Sequence, residues 1–136
     1  MRETDALDDY LSEERNHPFE WSSRRNGDCQ LFLAGWVERI GWPGAGLPWR
    51  NRYSNENEAR ILLGERGGAV SAWCDLLGPP RMGSAARRGD VGQMAVDGWH
   101  LGMICTGTMW VIRAGEGGIR FVRPRTEIIV WDVGFS

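Results

Sequence analysis

The sequence predicts an α+β fold in which a helical N-terminal half packs on a C-terminal antiparallel sheet or half-barrel. Apolar residues recur at helical spacing up to about residue 77, alternate in steps of two after residue 90, and glycine-containing turns separate the alternating segments. With 136 residues the chain has room for one hydrophobic core. The expected organisation is an acidic helical arm over 1–16 and a single α+β domain over 17–136.

Residues 3–15 read as an acidic amphipathic helix, with Ala6, Leu7, Tyr10 and Leu11 on one face. His17-Pro18 stops it, because the residue before proline avoids the helical region. Phe19 and Trp21 follow in a loop that ends at the turn signal Asn26-Gly27. Residues 28–40 form the clearest helix: Asp28 is a good N-cap, the apolar stripe is Leu31, Phe32, Trp36, Val37 and Ile40, and Gly41 ends it. A Gly/Pro/Trp-rich loop spans 42–53. Asn55 and Glu58 stand in capping-box positions for a helix to about Arg66, and a short helix over 69–77 stops at Gly78-Pro79-Pro80. After a loop at 81–89, strands are expected over 91–96, 99–105, 109–113, 119–122 and 128–133. Asp97-Gly98 is a hairpin turn between the first two.

Composition narrows the chemistry. All 16 basic residues are arginine, against 18 acidic ones, for a net charge of −2. Without lysine, P-loop nucleotide hydrolysis and Schiff-base catalysis are excluded. Two histidines, His17 and His100, and three scattered cysteines do not make a standard zinc site, and no cofactor is implied. The charge balance argues against a nucleic-acid partner. No apolar run approaches the ~20 residues of a membrane span, and no signal-peptide core is visible, so a cytoplasmic origin is expected. Cys29, Cys74 and Cys105 are expected to be free thiols.

One cysteine and one histidine stand out. Cys29 opens the 28–40 helix, where the helix dipole and unpaired N–H groups favour a thiolate and supply donors for an oxyanion. The competing reading is a small buried residue, and neighbouring Asp28 opposes ionisation unless its carboxylate is turned into capping. His100 sits in an alternating strand with Gly102 and Ile104 on its face, where a histidine can serve a helix-terminal cysteine as base. Taken alone, the favoured reading is a hydrogen-bonded or exposed histidine next to the hairpin turn. His17 is suited to capping the preceding helix, and Cys74 and Cys105 to inert packing. Trp42 and Trp49 in the loop, with Trp99, are candidates for a substrate rim or for packing.

Four segments resemble, in order, the motifs of the NlpC-type papain-fold cysteine peptidases. Asn26-Gly27-Asp28-Cys29-Gln30-Leu31-Phe32 is similar to their nucleophile motif, and Arg88-Gly89-Asp90-Val91 to the motif that opens their sheet. Trp99-His100-Leu101-Gly102-Met103-Ile104 is similar to the catalytic-histidine motif. Val111-Ile112-Arg113-Ala114, with Ile119-Arg120 after a glycine-rich turn, is similar to the stretch that carries the third catalytic position. His17-Pro18-Phe19-Glu20-Trp21 resembles small phage-tail-associated members.

The resemblance implies a papain-like half-barrel with Cys29 as nucleophile, His100 as base, and Asp28 and Gln30 beside the oxyanion site. It implies a peptidoglycan stem peptide as substrate and neighbouring tail hub or baseplate proteins as partners. The chain would be assembled in the host cytoplasm and carried in the virion tail. The alternative is a tail or gene-transfer-agent assembly component with a decayed site. Two residues depart from the pattern. Arg113 occupies the third position and has no acceptor for an imidazole N–H, which leaves Glu116, Thr106, Thr108 or a backbone carbonyl for that task. Gln30 replaces the usual small serine.

Overall fold

The computed structural model of the chain describes residues 4–21, 27–82, 86–96, 99–113, 118–124 and 127–135. Four helices come first: α1 (Ala6–Glu14), α2 (Cys29–Arg39), α3 (Glu56–Gly64) and α4 (Ala69–Leu77). Six strands follow: β1 (Arg81–Met82), β2 (Val91–Val96), β3 (Trp99–Cys105), β4 (Trp110–Arg113), β5 (Ile119–Val122) and β6 (Ile128–Trp131). The fold is α+β, as the change of period predicts. The expected turn residues Asn26, Asp97 and Gly98, and Glu116, lie outside the described residues.

Local chemistry sets the helix starts. Asp5 and Asp8 form a reciprocal capping box on α1, Asp28 accepts from Leu31 N–H at 2.9 Å on α2, and Asn55 accepts from Glu58 N–H at 2.9 Å on α3. Glu58 does not close a box on Asn55; its carboxylate accepts from Ser54 N–H at 2.8 Å instead. The strand β1, expected as loop, is two residues that pair with β6. So short a strand has too few residues to show alternation.

The strands pair antiparallel in the order β1-β6-β2-β3-β4-β5. The β2–β3 register sets Val91 opposite Ile104, Gln93 opposite Gly102 and Ala95 opposite His100, so these six share one face. That face turns to the helices: Val91, Ile104, Val111 and Trp131 join Leu31, Phe32, Leu33 and Trp36 in the main core. The other face gathers Met103, Cys105, Trp110, Ile112, Ile128 and Val130. Gly92 leaves room for this second cluster: a Cβ there would lie 2.9 Å from the Trp110 ring and 2.8 Å from Ile128. Tryptophan N–H groups tie the two layers together. Trp36 donates to the Gly89 carbonyl at 2.8 Å and Trp131 to the Gly78 carbonyl at 3.0 Å.

Helix α1 corrects the expected arm over 1–16. Leu7 and Tyr10 are 0% and 1% exposed and belong to the main core. The Tyr10 hydroxyl donates to the Phe32 carbonyl at 2.5 Å, and the two rings stack at 5.4 Å. Two arginines pin the helix ends. Arg88 reaches Asp5 at 2.9 and 3.0 Å and Asp8 at 2.8 Å. Arg113, wholly buried, pairs with the Glu14 carboxylate. It also donates to the carbonyls of Glu14, His17 and Gly118 at 2.8, 2.5 and 3.3 Å. The last carbonyl of α1 is thus capped by Arg113 together with the His17 backbone N–H, which donates to the Glu14 carbonyl at 3.1 Å.

A buried ion pair that loses one partner leaves an uncompensated charge, at a cost of about 3–5 kcal/mol. Arg113→Met is expected to lower unfolding free energy by about that amount in urea titration, and Glu14→Gln added to it should recover part of the loss. An unchanged midpoint for Arg113→Met would contradict this account of the pair.

Candidate functional site

Cys29 is the first residue of α2, and the helix starts there because Asp28 caps it. The other end of the Asp28 carboxylate accepts a hydrogen bond from the Tyr53 hydroxyl. Asp28, Cys29 and Gln30 are all buried, so this first turn is pressed into the protein. What it meets is β3. A Cβ at Gly102 would stand 2.8 Å from the Cys29 carbonyl oxygen and 3.0 Å from the Leu33 side chain. Only glycine permits that approach.

Gln30 turns inward rather than toward an oxyanion site. Its amide exchanges hydrogen bonds with Gln93 on β2, at 2.9 and 2.8 Å, accepts from the Trp73 indole of α4 at 2.8 Å, and donates to the His100 carbonyl at 3.2 Å. Buried amides satisfied on all sides fix a single arrangement of the elements that carry them. Gln30 thus joins α2, α4, β2 and the backbone of His100. The chain carries a signal for Gln93, a polar residue in an inward slot of an alternating strand.

The Cys29 thiol is pushed up to about 12, chiefly by burial. Backbone hydrogen bonding at Gly102, Cys29 and Gln30 pulls it down, and the Asp28 charge raises it further. The thiolate expected from the helix terminus is therefore not the resting form. Burial outweighs the dipole, and Asp28 opposes ionisation even while it caps. Burial and the same carboxylate also hold the Tyr53 phenol well above its ordinary range.

His100 lies on the Gly102 face of β3, the face that α2 covers. It lines a cleft of about 190 Å³ together with Trp99 and residues of α3 and α4. Among the described residues no hydrogen bond joins Cys29 to His100, and Cys29 does not line that cleft. Arg113 is committed to the end of α1 and stacks over Phe32 at 5.2 Å. Thr106 closes its own turn, exchanging bonds with Met109. Neither of these stands at the imidazole as an orienting group.

The aromatic candidates divide. Trp99 lines the cleft, with the Arg60 guanidinium 4.3 Å from its ring centre and Trp21 edge-on at 6.3 Å. Trp21 also meets Tyr53 at 6.4 Å, so these rings form one wall from Asp28 to the cleft. Trp42 is half-buried against the core. Trp49 corrects the rim expectation: it is 2% exposed and packs on Trp73 at 5.7 Å. A composition of Gly, Pro and Trp does not distinguish a packed loop from an open one. Cys105 is buried and Cys74 half-buried. Among the described residues no group of three or more His, Cys, Asp or Glu is placed to hold a metal ion, and no helix is long and apolar enough to cross a membrane.

The raised thiol and phenol set the alkaline stability. The unfolded chain loses these protons first, so stability is full below the ordinary cysteine value near 9 and falls as pH rises toward about 12. Cys29→Ala is expected to flatten the pH dependence of the urea midpoint across that interval, and an unaltered slope would contradict the burial of the thiol. Gly102→Ala, which drives a methyl into the Cys29 carbonyl, is expected to destabilise by about 1–3 kcal/mol.

No curated protein and no solved structure matches the chain significantly. One family model, described as a domain of unknown function (DUF6950), matches residues 1–133. The chain therefore belongs to the DUF6950 family.

Proposed function

We propose that the chain is a papain-like cysteine peptidase of the NlpC type that hydrolyses an amide bond in a peptidoglycan stem peptide. The observation that carries this reading is the packing of α2 on β3. Cys29 opens the helix, its carbonyl lies against Gly102, and the next residue binds the carbonyl of His100 at 3.2 Å. A helix-terminal cysteine beside a strand histidine is what nucleophilic acyl transfer requires.

In the reaction, His100 takes the proton of the Cys29 thiol as sulfur attacks the amide carbon. The tetrahedral oxyanion is stabilised by backbone N–H groups at the start of α2. The amine leaves with the proton from His100, and water, deprotonated by the same imidazole, hydrolyses the thioester and restores the thiol. With its proton held up to about 12, Cys29 needs that base. The approach of substrate must bring the two side chains together. Location on a phage tail tip or baseplate, with tail hub proteins as partners and assembly in the host cytoplasm, rests on the resemblance of the segment from His17 to Trp21.

A second reading, a tail assembly component whose site has decayed, is favoured by one pair of observations. The thiol is sealed and protonated, and the third-position residue, Arg113, is spent on α1. Incubation of the purified chain with bacterial peptidoglycan, with release of new amino groups as the readout, separates the two. The expected result is release that Cys29→Ala and His100→Ala each lower at least about a hundredfold. Release that survives Cys29→Ala, or a folded wild type that releases nothing, would overturn the hydrolase reading.

A further inference from the structure

The two edges of the sheet are finished differently. At one edge, β1 is only two residues long. At the other, β5 pairs with β4 over four residues, and among the described residues no strand lies against its outer side. Such an edge presents backbone N–H and C=O groups for pairing. The open stretch is bounded at both ends. The exit of α1 lies on Gly118, where a Cβ would meet the carbonyls of Arg15 and His17. Pro124, which has no N–H to pair, follows Arg123. Residues 119–123 are therefore the segment to which a further strand can be added.

The side chains of this segment carry unspent positive charge. Arg120 and Arg123 are exposed, and so is Arg15 at the exit of α1. Among the described residues none of these three is held in an ion pair, whereas Arg39, Arg50, Arg60, Arg81, Arg88 and Arg113 each meet a carboxylate. Glu14, the acid next to Arg15, is committed to Arg113. Between the two strand arginines Phe121 is 46% exposed. The register places Phe121 on the face of Val111, and Arg120 and Val122 on the face of Ile112 and Trp110.

We propose that the outer edge of β5 docks an acidic extended segment of a partner protein, which joins the sheet as a further strand. Backbone bonds to residues 119–123 supply affinity, and the side chains opposite supply selection. The segment that fits reads acid, apolar, apolar, acid, with the acids opposite Arg120 and Arg123 and the apolar pair opposite Phe121 and Val122. That order is the same in both directions, so it suits parallel and antiparallel addition alike. A second copy of the chain fits poorly. Full antiparallel pairing of residues 120–123 sets arginine opposite arginine, and like charges directly opposite are destabilising. A polyanion without a peptide backbone leaves Phe121 and the edge groups unmatched. The surface is independent of Cys29 and of the hydrolase reading.

The test is a titration of the 15N-labelled full chain with the acetylated, amidated peptide Thr-Glu-Val-Val-Glu-Thr. Saturable shifts are expected at the amides of residues 119–123, with a dissociation constant of about 1 mM or below. The Lys-for-Glu counterpart and inorganic triphosphate should each bind at least about tenfold more weakly. The double variant Arg120→Glu/Arg123→Glu should reverse the preference between the two peptides. Both residues are exposed, and unmoved core amides check the fold of the variant. A probe N-methylated at both valines should lose at least about tenfold in affinity, because one of two successive N–H groups faces the strand it joins. No saturation, shifts centred away from β5, or an unreversed preference in the double variant would each overturn the proposal. Equal binding of the Lys peptide, of triphosphate or of the N-methylated probe would do the same. Concentration-dependent shifts at residues 119–123 without peptide would also overturn it, and would assign the edge to a second copy.

Discussion

The close approach of α2 to β3 is the contact on which the rest of the structure depends. A helix that lays its first-turn carbonyl on a strand needs a residue without a side chain beneath it, and Gly102 is that residue. The approach also brings Gln30 within reach of Gln93, Trp73 and the His100 carbonyl. Packing and polar satisfaction thus reinforce each other. Buried amides tolerate no slippage without an unpaired group, and a methyl at 102 would force the layers apart. The depth of Cys29, the face of His100 and the position of α4 at the cleft all follow from this seam.

The electrostatics of the seam are costly in one direction only. Asp28 is a buried carboxylate that accepts hydrogen bonds from Leu31 N–H and the Tyr53 hydroxyl. Its field still reaches the neighbouring thiol and phenol and keeps both protonated, in addition to their burial. In the proposed hydrolase, a neutral thiol is unreactive until a base and substrate meet it. The proposed chemistry is therefore conditional on His100, and on a group other than Arg113 to orient it.

With no lysine, arginine carries every fixed positive charge. Its planar fork is used for shape as well as charge. Arg88 spans two carboxylates of the α1 capping box, and Arg113 collects one carboxylate and three carbonyls at the other end of that helix. Arg60 lies over an indole, 4.3 Å from the centre of the Trp99 ring. An ammonium would serve poorly at each place, since it lacks the geometry for several acceptors in a plane or for stacking.

Much of the fold was legible in the chain. Helical spacing, the caps Asp28 and Asn55, and two-residue alternation located the four helices and five of the six strands, because these signals are local and repeat within each element. Alternation also placed His100 with Gly102 on one face. The short β1, the burial of α1 and the burial of Trp49 were not legible, because each depends on what lies opposite rather than on the segment's own pattern. The site divided in the same way. The sequence by itself determined that Cys29 opens a helix and that His100 lies on a strand, since caps and periods are properties of neighbours in the chain. Only the tertiary structure decided that the thiol is sealed and protonated, that Gln30 faces Gln93, and that Arg113 serves α1. Desolvation and hydrogen-bond partners are set by residues tens of positions away in the chain.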